Sequence, residues 1–146
     1  MNFKSFAILF LFFISFGNSN AQTDEGGLTR ILFIFDASNS MNAPWQGSNR
    51  IEIAKRIMQE SVDSLRNIEN LEIALRIYGH QTPLLPGQQD CNDTKLEVPF
   101  GKNNWDQVKS WIKYVEPKGT TPIARSLEKA GGDFPECKNC RNIIVL

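Results

Sequence analysis

Several chemistries are excluded by what this chain of 146 residues does not contain. It has no lysine-bearing phosphate loop and no Ser/His/Asp set, and a single histidine, His80, cannot stand in for either. No basic block or arginine-rich stripe occurs, and 16 Lys plus Arg balance 16 Asp plus Glu. Nucleic acid is therefore not the expected partner, and electrostatic membrane binding is not suggested. Internal repeats and low-complexity tracts are absent beyond residue 21, and the length leaves room for at most one domain. Zinc lacks ligands, because the pair in Cys137-Lys138-Asn139-Cys140 has no second pair and no histidine nearby. A redox Cys-x-x-Cys sits where a strand feeds a helix, whereas this one precedes a strand. A local disulfide or clip is the remaining use.

Long hydrophobic runs are also scarce. Phe6 to Phe16 is apolar, but about eleven residues are too few for a membrane span of about twenty. Lys4 before that run and Ser19-Asn20-Ala21 after it have the layout of a signal peptide. We expect cleavage after Ala21 and export, to a secreted, periplasmic or cell-surface location, with no membrane span left afterwards. Loss of Lys4 leaves one more acidic than basic side chain, a net charge of about −1. Residues 22–28 are polar and glycine-containing, a flexible linker into a domain expected over 29–146.

Within that domain, Arg30 to Phe35 is short, β-branched and aromatic, the composition of a strand buried on both faces. It runs into Asp36-Ala37-Ser38-Asn39-Ser40, one carboxylate and two hydroxyls at alternate positions. Hard oxygen donors on a tight turn suit a hard cation such as Mg²⁺, which keeps waters and takes few protein ligands. Ligands of parallel sheets bind where strands end. Taken alone, the pentapeptide is also ordinary loop chemistry. Further on, Lys118-Gly119-Thr120-Thr121-Pro122-Ile123 combines a threonine N-cap with proline at the first helical position, which needs no metal to explain it. Ile123, Leu127 and Ala130 then form an apolar stripe at helical spacing.

Between these segments, Asn49 with Glu52 has the form of a capping box, followed by a helix to about Arg66. Strands are expected over Leu71–Tyr78 and Thr94–Phe100. A helix opened by Asn104 and Gln107 follows, with Val108, Trp111, Ile112 and Val115 inward. Another buried strand begins at Asn142.

Asp36-x-Ser38-x-Ser40 after a buried strand, with Gly119-x-Thr121-x-Ile123 in second place, resembles the metal-ion-dependent adhesion site of von Willebrand factor type A domains. The resemblance implies a Rossmann-like α/β fold, a mostly parallel central sheet with one antiparallel edge strand and helices on both faces. It implies metal ligation by Asp36, Ser38, Ser40 and Thr121, directly or through water, with Mg²⁺, Mn²⁺ or Ca²⁺ as the ion. One position is left for an acidic side chain of a protein or peptide partner. Asn39 stands where glycine is common, a departure that asparagine's tolerance of left-handed backbone makes minor. The family's later Asp-Gly ligand is missing, since Leu146 falls inside the strand before it. We therefore expect a fragment, incomplete at its C-terminus, with weak or absent metal affinity.

In that topology the loop 79–93 and residues 119–121 share the metal edge, while 133–140 lies at the opposite edge. Cys91 then cannot reach Cys137 or Cys140, because a strand length of about 17–20 Å exceeds the about 7 Å a disulfide allows; its partner is expected beyond Leu146. Loop 79–93 is the best candidate for partner specificity. His80 is expected as a solvated or capped loop residue, and Asp90 and Asp93 as turn formers. Two alternatives stand beside the binding module. One is a structural or interaction module that does not use metal. The other is a phosphohydrolase-like enzyme with Asp36 as nucleophile, although Ser38 occupies the position where its second acid belongs.

Overall fold

The computed structural model describes residues 27–146; the expected signal peptide over 1–21 and linker residues 22–26 lie outside the described residues. Strand β1 spans Leu28–Asp36, starting one residue before the start expected at 29. Leu28 is drawn into the sheet by pairing with Cys140. A 3₁₀ turn, Asn39–Asn42, and a small hairpin of β2 (Pro44–Trp45) and β3 (Ser48–Asn49) lead into helix α1, Arg50–Leu65. Strands β4 (Leu71–Tyr78) and β5 (Thr94–Gly101) precede helix α2 (Trp105–Tyr114). Helix α3 (Ile123–Ala130), a 3₁₀ turn Gly131–Asp133 and strand β6 (Cys140–Val145) complete the described chain.

The main sheet has the order β5-β4-β1-β6. Both β4 and β6 run parallel to β1, and β5 is antiparallel to β4. This is the mixed α/β sheet with one antiparallel edge strand that the sequence predicts. Side chains alternate across it because successive Cβ atoms of a strand point to opposite faces. Phe33, Phe35, Ile73, Leu75 and Ile77 face α1 and α2, where they pack with Met58, Val62, Val108 and Ile112. Leu32, Ile34, Ala74 and Tyr78 face the other way, toward Ala130 and Phe134.

That second face also carries two buried arginines. The Arg76 Nε and Nη2 donate to the two carboxylate oxygens of Asp133 at 2.6 and 2.7 Å, a bidentate pair, and its Nη1 donates to Thr94 Oγ1. Arg30 donates to Glu72 Oε2 at 2.9 Å and to the Pro135 carbonyl. Both guanidiniums are thus compensated inside the fold.

Helix ends depart from the expected capping. Asn49 is the N-cap of α1 but makes no side-chain cap bond, and Glu52 pairs with Lys55 instead of closing a capping box. Asn104 spends its amide on the carbonyls of Ile73 and Pro99, tying the start of α2 to the sheet rather than capping it. Helix α3 starts one residue late, with Pro122 rather than Thr121 at the N-cap. Its expected stripe is also rotated. Ala130 is buried, but Ile123 and Leu127 are 39% and 42% exposed. Ser126 takes the inward place one turn before Ala130, with its hydroxyl 3.0 Å from Thr94 Oγ1 and 2.9 Å from the Pro122 carbonyl.

The Cys137–Cys140 pair is joined in a disulfide, and Cys91 is a free, exposed thiol near the other end of the sheet. Among the described residues no helix is long and apolar enough to cross a membrane.

Leu75 is fully buried, and Leu75→Ala should cost about 2–5 kcal/mol in urea unfolding, through lost burial and the cavity left behind. Asp133→Ala should cost about 3–5 kcal/mol, because it strands the Arg76 charge in the interior.

Candidate functional site

At the C-terminal end of β1 the chain leaves the sheet and is immediately caught by two other segments. The Ala37 N–H donates to the Tyr78 carbonyl, and the Asn39 N–H to the Gly119 carbonyl at 2.9 Å. Ser38 and Gly119 form an isolated parallel bridge. Lys118 N–H lies 3.2 Å from the Ala37 carbonyl and 3.1 Å from that of Gly79, and Gly119 N–H donates to Gly79 at 2.8 Å. Residues 118–119 therefore act as a strap laid between the ends of β1 and β4.

Two glycines permit this approach. At Gly79, with φ of 73°, an added Cβ would lie 2.5 Å from the Thr120 carbonyl oxygen and 2.6 Å from the Ser38 Cα. At Gly119 it would lie 2.5 Å from Asp93 Oδ2 and 2.6 Å from the Thr82 carbonyl oxygen. Asn39, by contrast, sits in a 3₁₀ turn and is not among the left-handed non-glycine residues of the described chain, Gln46, Asn70 and Asn103. The tolerance invoked for it is not used.

The side chains follow from that backbone. The Ser38 N–H donates to Asp36 Oδ1 at 2.7 Å, an Asx-type turn that fixes the carboxylate over its own loop. The Ser38 and Ser40 hydroxyl oxygens are 3.0 Å apart. Ser38 is fully buried, whereas Ser40 is exposed. Thr121 is exposed as well, and its hydroxyl makes no hydrogen bond among the described residues. Ser40 and Thr121 line one cavity of about 320 Å³, together with Asn39, Gly119, Leu84 and Gln89. All four predicted site residues thus lie at one edge of the sheet, with two of them opening into one cavity. Among the described residues no group of three His, Cys, Asp or Glu side chains could hold a metal ion, so an ion here would have one carboxylate, Asp36, beside hydroxyls and water.

Loop 79–93 reaches the same edge, as its topology predicts, through Leu84 and Gln89. Its organising group is Asp93, which is buried and accepts the backbone N–H of Gln81 and Thr82 as well as the Gln81 amide. Asp90 caps its own turn by accepting the Asn92 N–H at 2.8 Å. Both aspartates form turns, as expected. His80 is not solvated: its side chain is buried, with Nε2 2.9 Å from Glu97 Oε1 and the ring edge against Trp111. Burial of this loop histidine comes from β5 and α2 closing over it, packing that no local pattern reveals.

Tyr78, in register with Asp36 across β1 and β4, completes the surroundings. Burial, and then the negative charge of the neighbouring Asp36 carboxylate, push its phenol well above the usual range. It stays a neutral donor at any physiological pH.

The hairpin of β2 and β3 and the strap glycines are what sequence reasoning missed. The Gln46-Gly47 pair, with φ of 46° and 83°, is the signal for that hairpin turn. Gly79 directly after a strand is the signal for the close approach.

No protein-family profile matches the chain. It is 27% identical over 129 residues to the uncharacterized protein YwmD of Bacillus subtilis strain 168, covering 87% of this chain and 57% of that protein. The chain thus spans somewhat over half the length of the curated relative it matches. The fold is similar to that of the vWF domain of the type V pili tip protein Mfa5 from Porphyromonas gingivalis, with a TM-score of 0.64 and 19% identity over 83% of this chain and 37% of that one. It is also similar to the SpRpn10 VWA domain, with a TM-score of 0.51 and 10% identity over 73% of this chain and 50% of that one. At these identities the likeness establishes architecture. The fold is von Willebrand A-like.

Gly119→Ala should destabilise the protein by about 1–3 kcal/mol, since the new methyl meets backbone and a buried carboxylate that cannot withdraw. Gly131→Ala, where a Cβ meets nothing within 4 Å, should be neutral or stabilising by up to about 1 kcal/mol in the same melts. The raised Tyr78 pKa means that the folded state holds the phenolic proton more tightly than the unfolded chain. Its contribution is complete below the unfolded value of about 10 and is lost as pH rises above it. Stability measured from pH 8 to 11 should fall less steeply in Tyr78→Phe than in the parent.

Proposed function

We propose that this chain is an exported binding module of the von Willebrand A class, engaging an acidic side chain of a protein or peptide through a divalent cation held at Asp36, Ser38, Ser40 and Thr121. Mg²⁺ is the preferred ion, with Mn²⁺ or Ca²⁺ as substitutes, and the module performs no catalytic step. The observation that carries this reading is the 3.0 Å separation of the Ser38 and Ser40 hydroxyls at the end of β1. Adjacent ligands of an octahedral Mg²⁺ with oxygens at about 2.0–2.1 Å stand about 2.9 Å apart, so the pair matches one edge of such a site.

The donor chemistry points the same way. One carboxylate among four donors leaves a bound divalent cation net positive, so a carboxylate from a second molecule would complete it favourably. Asp36 already accepts the Ser38 N–H, which holds it in place for the ion or its waters. Ser38 is buried, while the exposed Ser40 and Thr121 both line the cavity beside Leu84 and Gln89, so a partner side chain would enter between the strap and loop 79–93. As an enzyme the site is poorly furnished, since Asp36 is committed to its own turn and a serine fills the second acid's position.

Export is supported by the Cys137–Cys140 disulfide, a bond that persists in oxidising compartments. One structural neighbour is a pilus tip protein, which accords with a cell-surface or secreted setting.

Millimolar Mn²⁺ should broaden the amide NMR signals of residues 38–40 and 119–121 selectively. Ser40→Ala or Asp36→Ala should lower the affinity by about tenfold or more. Broadening that is uniform, or indifferent to both substitutions, would overturn the metal site. Partner binding that survives EDTA would favour the module that does not use metal.

A further inference from the structure

We infer that loop 79–93 selects among acidic partners, taking an extended peptide segment in which the acidic residue is directly flanked by an aliphatic one, and that Leu84 receives the aliphatic side chain. The inference rests on the metal reading above and adds what the partner must carry beside its carboxylate.

The length of the loop is the first observation. It joins two antiparallel neighbours, β4 and β5, and a hairpin of that kind closes with about two to five residues. Residues 79–93 far exceed that, and ordered loops of such length are commonly binding elements. This one is held by its own bonds. Asp93 gathers the Gln81 and Thr82 N–H groups, and Thr82 Oγ1 donates to Asp90 Oδ2 at 3.0 Å. Thr120 Oγ1 donates to the Asp90 carbonyl from the strap. The tip is a Pro86-Gly87 turn, with Gly87 at φ of 74° and the Gln88 N–H donating to the Leu85 carbonyl at 3.0 Å.

What this framework presents at the cavity is apolar. Leu84 and Leu85 are 41% and 52% exposed, side by side between Pro83 and Pro86. One exposed leucine on a surface is ordinary. Leu84, however, lines the same cavity as Ser40 and Thr121, and its N–H donates to the Lys118 carbonyl at 2.9 Å, which fixes it against the strap. A contact residue already held in place loses little freedom when a partner covers it.

The rest of the lining defines the partner. No charged side chain lines the cavity, so an acidic residue entering it would find only the ion to pair with. Discrimination between one acidic sequence and another then falls to the neutral groups. Leu84 offers apolar area to an adjacent aliphatic side chain. Gln89 offers a donor and an acceptor to peptide backbone, since its amide makes no hydrogen bond among the described residues. That second contact favours a peptide over a fatty acid, whose chain has no group to meet the amide.

The test titrates the isotope-labelled full chain in Mg²⁺ with glycine hexapeptides carrying a central Glu-Leu, Leu-Glu, Glu-Gly or Gln-Leu pair, read by amide shifts of residues 84–89 and 119–121. We expect the tighter of Glu-Leu and Leu-Glu to exceed Glu-Gly by about fivefold or more, and Gln-Leu not to saturate. Leu84→Ser should bring the acidic peptides level with Glu-Gly while leaving Mn²⁺ broadening of residues 38–40 unchanged. Ile68→Ser, at a side chain 50% exposed between α1 and β4, should keep the preference. Metal-dependent binding in which Glu-Leu, Leu-Glu and Glu-Gly tie, or a preference that Leu84→Ser retains, would overturn this inference alone. Binding that survives both EDTA and Ser40→Ala would overturn the metal reading and this inference with it, as would no binding of any peptide at millimolar concentration. Octanoate binding more tightly than the peptides would assign the cavity to a fatty acid and overturn the choice of partner.

Discussion

The strap of residues 118–119 is the constraint on which the site depends. Its backbone bonds to the end of β1 on one side and to Gly79 at the end of β4 on the other, with no side chain of its own in between. Without that bridge, Thr121 would sit on a loop free to move relative to Ser38 and Ser40. With it, residues more than 80 positions apart in sequence are held within backbone hydrogen-bonding distance of one another. Asp93 secures the outer side of the same junction by gathering the N–H groups of Gln81 and Thr82 beneath the strap.

The two faces of the sheet solve burial differently. Toward α1 and α2 the packing is mainly aliphatic and aromatic, with the buried His80–Glu97 pair held against Trp111. Toward α3 the strands interleave apolar residues with Arg30 and Arg76, which are neutralised by Glu72 and Asp133. A short helix with Ser126 and Ala130 inward fits closely over that face.

Much of the fold was legible because burial imposes period on sequence. The Leu71–Tyr78 strand has the predicted bounds, and the parallel and antiparallel pairings agree with right-handed crossover followed by a hairpin. The shared edge for Ser38, Ser40 and Thr121 followed from that topology. Where reading failed, side chains had competing partners. Glu52 found Lys55 rather than a cap, Asn104 found the Ile73 carbonyl, and Ile123 and Leu127 lost the inward position to Ser126, whose hydroxyl meets Thr94. His80 was read as a solvated or capped loop residue; β5 and α2 enclose it against Glu97 and Trp111 instead of leaving it in water.

By itself the sequence determined the class of fold, the order of the main-sheet strands and the helices, and the oxygen donors gathered after β1, because hydrophobic period and short-range turn chemistry are local properties. The tertiary structure alone decided the rotation of α3, the burial of His80 and the two glycine close approaches. Those depend on which surfaces press together across long separations in the chain, and contacts of that kind leave no periodic trace in the residues that make them.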